Sequence, residues 1–520
     1  MRIAHAALII ALGNVASRLL GIVREQVIAG LFGATGVTDA FVAASTVPTM
    51  VYDLLIGGAI SAALIPVFSE YADDRPGDFG RVGSTVINLA ALALIAVVAL
   101  AIPFAPELIT ILGVGFAPQI RQQAIDLVRI ILPAVLFLGL SGVTTALLYA
   151  RRQFALPAFV VTVYNLGIIV TALALGGSLG TTSLVLGIVI GAFLQIALQA
   201  PGLRGFRYSF VVDLRHPGVR RIARLYLPVM AGLVVSQVGV LIDRNLASQT
   251  GEGSMAAMRF ATTLVQFPLG LVGSAVAFAV LPTLSRHAAA GAATTGGDAY
   301  KATLARGISM VLMLIVPASV GLAVLREPLV RLIFQHGAFN AEATARTALA
   351  FLCYSPSIPF AAVDQLLIFA FYARQNTVTP VLVGMVSVAV YLAVALTLLP
   401  TLGMAGLVLA NSAQWIVHAL ILLVLLWRVI GGLRGYGLGW STLKVLVAGL
   451  TMGLAVLAAQ PVVGALTASG GLAGLALELA ALVGLGMVVF GGVALALRLD
   501  QARWLWDLAV GKLRRGSRDR

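Results

Sequence analysis

Residues 17–66 read SRLLGIVREQVIAGLFGATGVTDAFVAASTVPTMVYDLLIGGAISAALIP. Two long apolar segments meet here, and both carry charge. Arg18 and Arg24 sit inside the first, and Asp39 and Asp53 stand at the two ends of the second. A charged side chain at mid-bilayer costs roughly 2.5 to 3.5 kcal/mol even on the lenient insertion scale, so such residues face a wet cavity or a partner. The stretch reads as the wall of a polar chamber within a membrane.

Composition supports that setting. Of 520 residues, 60% are hydrophobic and only 10% charged, and the mean hydropathy is +1.02. These values exclude an ordinary soluble domain. Outward from the opening stretch, apolar segments of about 20 residues or more recur between short polar joints, the length a helix needs to cross the hydrocarbon. No strand-type alternation is present, so a barrel is excluded.

The expected fold is therefore an all-α polytopic membrane protein with fourteen transmembrane helices. The N-terminal segment resembles a signal peptide, but its apolar pattern runs on through Arg18 and Gly21 and is kept as span 1. Spans 2 to 6 fall near 37–66, 84–105, 122–149, 157–175 and 182–202. Spans 7 to 12 fall near 225–248, 256–284, 305–325, 343–373, 379–399 and 405–428. Spans 13 and 14 lie near 442–459 and 472–497, ahead of the charged tail.

The chain also repeats itself. Gly57, Ala59, Ala63, Pro66 and Ser69 match Gly273, Ala275, Ala279, Pro282 and Ser285 at a single offset. At a slightly larger offset, YARRQFALP from Tyr149 matches YARQNTVTP from Tyr372, and SLVLG from Ser183 matches GLVLA from Gly406. A repeat of roughly 220 residues in one orientation predicts two pseudo-symmetric six-helix lobes with a cavity between them. The expected divisions are an N-lobe at 1–203, a basic linker at 204–224, a C-lobe at 225–430, helices 13 and 14 at 431–500, and a basic tail at 501–520.

About 25 of the 34 Lys and Arg residues fall in the two tails and in the joints after even-numbered spans, which places both termini in the cytoplasm. The net charge of +14 is mostly this topology signal. Dispersal of the basic residues among the spans argues against nucleic-acid binding. Gly187 with Gly191, and Gly270 with Ser274, give the spacing that lets helices approach closely in lipid. Pro48 and Pro268 are expected to bend their helices. Cys353, alone, forms no internal disulfide.

Asp39 and Asp53 lie about four turns apart and share one face of a regular helix, with Thr46 between them. Arg18 and Arg24, roughly 120° apart on an ideal helix, reach one chamber from its flanks or through a bend at Gly21. Either these charges form a salt-bridged structural cluster, or the guanidiniums await an anionic ligand, phosphate being the group Arg binds best. Asp243, Arg244 and Arg259 are the second lobe's counterparts. No Walker loop, HExxH or nucleophile elbow is present, and the five histidines lack metal-ligand spacing. Transport would then run on an ion gradient, the membrane potential or the substrate's own gradient.

At these residues the chain resembles the MurJ (MviN) lipid II flippase family of the MOP exporter superfamily. The resemblance covers nearly the whole chain. It is carried by SRLLGIVRE from Ser17, FGATGVTDAF from Phe32, DRNLAS from Asp243, FPLGLVGSAVAFAVLPTLSR from Phe267 and REPLVRLIFQHGAFN from Arg326. It implies a flippase moving undecaprenyl-pyrophosphate-linked peptidoglycan precursor from the cytoplasmic to the outer leaflet, with a cationic cavity and a groove for the polyprenyl tail by helices 13 and 14. It implies a bacterial cytoplasmic-membrane location, action as a monomer and no enzymatic activity.

Residue by residue, the family's arginines of helix 1 fall on Arg18 and Arg24 and its helix 2 aspartate on Asp39. Asp53 and Arg259 complete the expected substrate-binding set. The family's helix 2 and helix 8 arginines fall instead on Tyr52 and Thr263, and Arg259, one turn before Thr263, is the candidate replacement. A sodium site known in some members maps onto Asp243 and Asn411, with Tyr391 in place of an asparagine. The rival readings are a flippase for another polyprenyl-linked glycan and a transport-inactive scaffold for cell-wall assembly.

Overall fold

A chain in hydrocarbon has no water to hydrogen-bond its peptide groups, so it must satisfy them internally, and helices do so within one segment. The computed structural model describes residues 3–58, 60–270, 274–290 and 297–503, and every regular element among them is helical. Gly273 of the repeat, the bridge between Gly270 and Ser274, and the tail from 504 lie outside the described residues.

Ten helical stretches among the described residues are long and apolar enough to cross a membrane. The number is eleven if the pair Pro118–Ile131 and Ala134–Ala150, bent by 43°, forms one span. Fourteen spans are not reproduced by this count. One source of the difference is Leu438–Ala496, a 59-residue stretch that counts once yet holds two helices. Another is Ser254–Pro268 and Ser274–Ala290, of 15 and 17 residues, which flank 271–273 and are each shorter than a span.

Packing divides the chain into two compact units. The first comprises Met1–Arg259 with His336–Ala343, the second Phe260–Gln335 with Thr344–Arg520. This boundary falls later than the linker at 204–224 that separates the sequence repeats.

The first unit begins with α1 (Ile3–Phe32) and α2 (Gly36–Tyr52). Beyond α2, which contains Pro48, the helix widens into π turns at Asp53–Gly57 and Ile60–Leu64 before α3 (Ile65–Asp74). Such turns leave backbone groups shifted out of the regular ladder and concentrate at working parts of helices. Then come α4 (Pro76–Ala101), α5 (Ala105–Leu112), α6 (Pro118–Ile131), α7 (Ala134–Ala150) and the short α8 (Ala155–Ala158). The last helices of this unit are α9 (Val160–Leu179), α10 (Thr182–Gln199) and α11 (Pro217–Ser248), followed by the start of α12 (Ser254–Pro268).

Close approach of α9 and α10 rests on glycine. A methyl on Gly167 would lie 2.7 Å from Gly191 Cα, and one on Gly187 would lie 2.8 Å from Ile168 Cα. The spacing of Gly187 and Gly191 thus does the packing read from it. The widened part of the α2 helix packs on α7 and α11, with the Tyr226 hydroxyl donating to the Leu54 carbonyl. Beneath it Phe68 and Phe79 meet edge to face at 6.4 Å in a core with Val67, Val82 and Leu147.

The second unit holds α13 (Ser274–Ala290), α14 (Asp298–Val324), α15 (Arg326–Phe334), most of α16 (Ala341–Tyr354), α17 (Ile358–Ala373), α18 (Val378–Leu402) and α19 (Met404–Ile430). It ends with α20 (Leu438–Thr467) and α21 (Gly471–Ala496), which pack on each other. Its apolar core is stitched by hydroxyls that donate to carbonyls: Tyr300 to Ala370 at 2.8 Å, Ser319 to Ser355 at 2.8 Å, and Ser412 to Cys353 at 2.6 Å. Outside the spans, the Tyr436 hydroxyl donates to Asp298 at 2.8 Å, a bond that pushes the phenol's pKa up. Leu450, Leu454, Met487 and Val488 are exposed on α20 and α21. An apolar exterior of that kind is stable only against lipid.

Candidate functional site

The site grows from one residue of α1. Glu25 is completely buried, and an unpaired carboxylate there would be prohibitively costly. Two guanidiniums meet it. Arg24 places Nη2 at 2.6 Å and Nε at 3.0 Å from Glu25 Oε1. Arg259, in the first turns of α12, places Nη2 at 2.9 Å from Oε1 and Nε at 3.0 Å from Oε2.

Neighbouring helices fix the geometry. Asn165 of α9 accepts from Arg24 Nη1 at 2.9 Å and donates to the Ser17 carbonyl at 3.1 Å, so it holds both the guanidinium and the helix that bears it. Phe41 of α2 lies under Arg259, its ring centroid 5.2 Å from Cζ, and Ser45 Oγ accepts from Arg259 Nη1 at 3.4 Å.

Charge decides what the cluster can do. Two guanidiniums share one carboxylate. The arginine side chains are 22% and 20% exposed while Glu25 shows nothing. Carboxylate and amide orient the forks, a geometry in which guanidinium N–H groups can bind an anion bidentately.

The residues expected from sequence have separate placements. Arg24 and Arg259 come together here. Arg18 is half-buried on the same helix, about 9 Å along the axis from Arg24 at 1.5 Å per residue. Asp39 is 2% exposed and has a different employment: Oδ2 accepts from the Gly253 amide at 2.5 Å and Oδ1 from Ala256 at 2.8 Å. These are the first amides of α12, unsatisfied within the helix and at its positive end, so Asp39 anchors the helix that carries Arg259. Asp53 is half-buried at the first π turn, and its carboxylate makes no hydrogen bond or ion pair among the described residues. The shared face expected of Asp39 and Asp53 therefore does not gather them into one site.

Glu25 and Asn165 were not among the residues expected from sequence. Glu25 had a signal, an acid beside Arg24 inside an apolar span. Asn165 had a weaker one, a single amide in VTVYNLGII.

The sodium residues fit a cation poorly. Asp243, of the first unit, has Arg244 Nη1 at 3.9 Å from its Oδ2, and the third position holds the buried ring of Tyr391. Asn411 is half-buried on α19 in the second unit. Oxygen ligands suit sodium, whereas an adjacent guanidinium opposes it. In the second unit a cavity of about 450 Å³ lies between the end of α19 and the start of α20, lined by Leu423, Trp427, Leu433, Arg434 and Trp440.

Ten or eleven helices of membrane-spanning length and composition among the described residues define a polytopic membrane protein. Comparison with solved structures agrees on the fold. The chain is similar to a structure titled "Lipid II flippase MurJ, inward closed conformation", with a TM-score of 0.78 and 22% identity over 94% of this chain and 98% of that one. It is also similar to an inward-facing multidrug resistance MATE family transporter of the MOP superfamily, with a TM-score of 0.66 and 13% identity over 83% of this chain and 95% of that one.

Two relatives narrow the class. A probable lipid II flippase MurJ of Haemophilus influenzae is 30% identical over 466 residues, 85% of this chain and 89% of the relative. A lipid II flippase MurJ of Burkholderia cenocepacia is 28% identical over 473 residues, 88% and 89% of the two chains. The family profile "Lipid II flippase MurJ" matches residues 28–470. The chain belongs to the MurJ family of lipid II flippases, which are transporters and not enzymes.

Proposed function

We propose that this protein flips lipid II from the cytoplasmic to the outer leaflet of the bacterial cytoplasmic membrane, as a monomer of fourteen spans with both termini in the cytoplasm. The observation that carries the reading is the pair of guanidiniums on one buried carboxylate. Guanidiniums oriented in this way would give a diphosphate a bidentate partner while the polyprenyl chain remains in lipid.

In this reading Arg24 and Arg259 grip the diphosphate, and Arg18 extends the positive surface along α1. Asp39 serves by positioning α12, and Asp53 lines the chamber at the π turns. Alternating access follows from rocking of the two repeats, with the π turns as a bending point in the α2 helix. Arg259 stands in for the family arginine absent at Thr263. The cavity beside Trp427 and Trp440 supports a place for part of the tail.

Complementation of a flippase-depleted bacterium tests this. Wild type should restore growth, Arg24→Ala and Arg259→Ala should not, and all three should reach the membrane in equal amount. Growth restored by both variants would refute the grip. Rescue of a surface-polysaccharide defect alone would identify another polyprenyl-linked glycan as cargo, and rescue of neither would favour the scaffold.

A further inference from the structure

In the first unit Ser141 Oγ donates to Gln195 Oε1 at 2.8 Å, a buried bond joining α7 to α10. The offset that carries Tyr149 onto Tyr372 carries Ser141 onto Asp364 and Gln195 onto His418. There His418 Nδ1 lies 2.6 Å from Asp364 Oδ1 and joins α17 to α19. One repeat thus holds a neutral pair where the other holds two titratable groups.

Asp364 is 1% exposed, and its Oδ2 is buried without a hydrogen-bond partner. The His418 side chain is 12% exposed, and its Nε2 faces the Pro380 carbonyl of α18 at 3.4 Å. Both ring nitrogens therefore face acceptors. A neutral imidazole beside an ionised carboxylate has a single N–H, so one lone pair would oppose an oxygen at 2.6 or 3.4 Å. One added proton removes the conflict, whether it rests on the ring or on the carboxyl. It also leaves the pair with no net charge, the form that burial tolerates.

Other titratable groups on the packed helices do not bond to the pair. On α18 there is Tyr391, and on α13 Arg286 and His287 bond to Thr283 and Thr303. All such groups of α14 lie between Asp298 and Arg306 in its first turns, and α19 adds Arg428 in its last.

We infer that Asp364 and His418 form a proton-binding site, loaded while α17, α18 and α19 are packed and discharged to water when they part. Losing the proton sets a lone pair against an oxygen and so loosens α19 from its neighbours. Only the parting of the helices during transport rests on the flippase reading.

The double variant D364S/H418Q rebuilds the first unit's neutral pair and should fold. Infrared difference spectra of purified protein between acid and alkaline pH should show a carboxyl band that is lost in D364N and displaced in H418Q. In liposomes with the potential clamped, an imposed pH gradient should change the rate of labelled lipid II flipping several-fold in wild type and not in D364S/H418Q. Identical spectra in wild type, D364N and H418Q would overturn the site, as would an unchanged gradient response in the double variant. A protein that flips no lipid II yet shows the band would retain the site and refute the flippase reading.

Discussion

At the ends of α7 and α17 the two repeats are one structure written in different residues. Arg152 and Gln375 adopt left-handed φ values of 59° and 58°. Behind them Gln153 donates its amide to the Leu148 carbonyl at 2.8 Å and Asn376 to Phe371 at 3.0 Å. Gly180 and Gly403, at the same offset, have φ of 55° and 54°. Inside the helices the repeats diverge. The first holds Arg24 on Glu25, which Arg259 of the second joins, and keeps a neutral Ser141–Gln195 bond, while the second replaces that bond by Asp364–His418. Turn geometry is conserved between the halves because the chain path requires it, and a few buried side chains then give each half its own chemistry.

The comparison is broken most readily at Glu25. Glu25→Ala leaves two partly buried guanidiniums without their carboxylate and should cost about 3 to 5 kcal/mol, seen as a large drop in unfolding temperature in detergent. Ser141→Ala in the same unit removes only neutral bonds, to Gln195 and from Gln199, and should cost about 1 to 2 kcal/mol. Equal losses would mean that the cluster is not ionic.

Gly191→Gln places in α10 the residue that the second repeat has at Gln414. Because Gly191 meets the backbone of Tyr164, we expect a loss of about 1 to 3 kcal/mol by the same measurement. Tolerance of Gln would show that glycine contact is not what brings α9 and α10 together.

Asp39→Ala orphans two amides at the start of α12. Roughly 1 to 2 kcal/mol should be lost, with lipid II affinity affected only through Arg259. An unchanged unfolding temperature with weakened affinity would return Asp39 to direct substrate contact.

Smallest, and opposite in sign, are Arg152→Gly and Gln375→Gly. Each relieves a left-handed residue and should stabilise by up to about 1 kcal/mol, less at Arg152, whose exposed ion pair with Asp73 at 3.1 Å is lost with it. A gain in neither would mean that the matched turns carry no strain.

Much of this was legible before any coordinates. Long apolar runs prescribe membrane helices, and the YAR joints announced a repeat whose turns prove alike at Arg152 and Gln375. Arg24 and Arg259 stood out because a guanidinium within an apolar span needs a reason. Glu25 was equally visible but is the counter-charge, and attention to an anionic ligand passes over it. Asp39 looked like a chamber residue because its real partners, Gly253 and Ala256, lie far along the chain and no local pattern links them. The number of spans was less legible, since helices that break near Ala468 or end near Pro268 do not map one to one onto apolar runs.

The central claim is that Arg24 and Arg259, oriented by Glu25, bind a diphosphate. Equilibrium binding of lipid II to folded wild type, Arg24→Gln and Arg259→Gln tests it most directly. The account predicts that each variant, in protein shown to remain folded, loses at least about tenfold in affinity, about 1.4 kcal/mol. Wild-type affinity in both variants would contradict it.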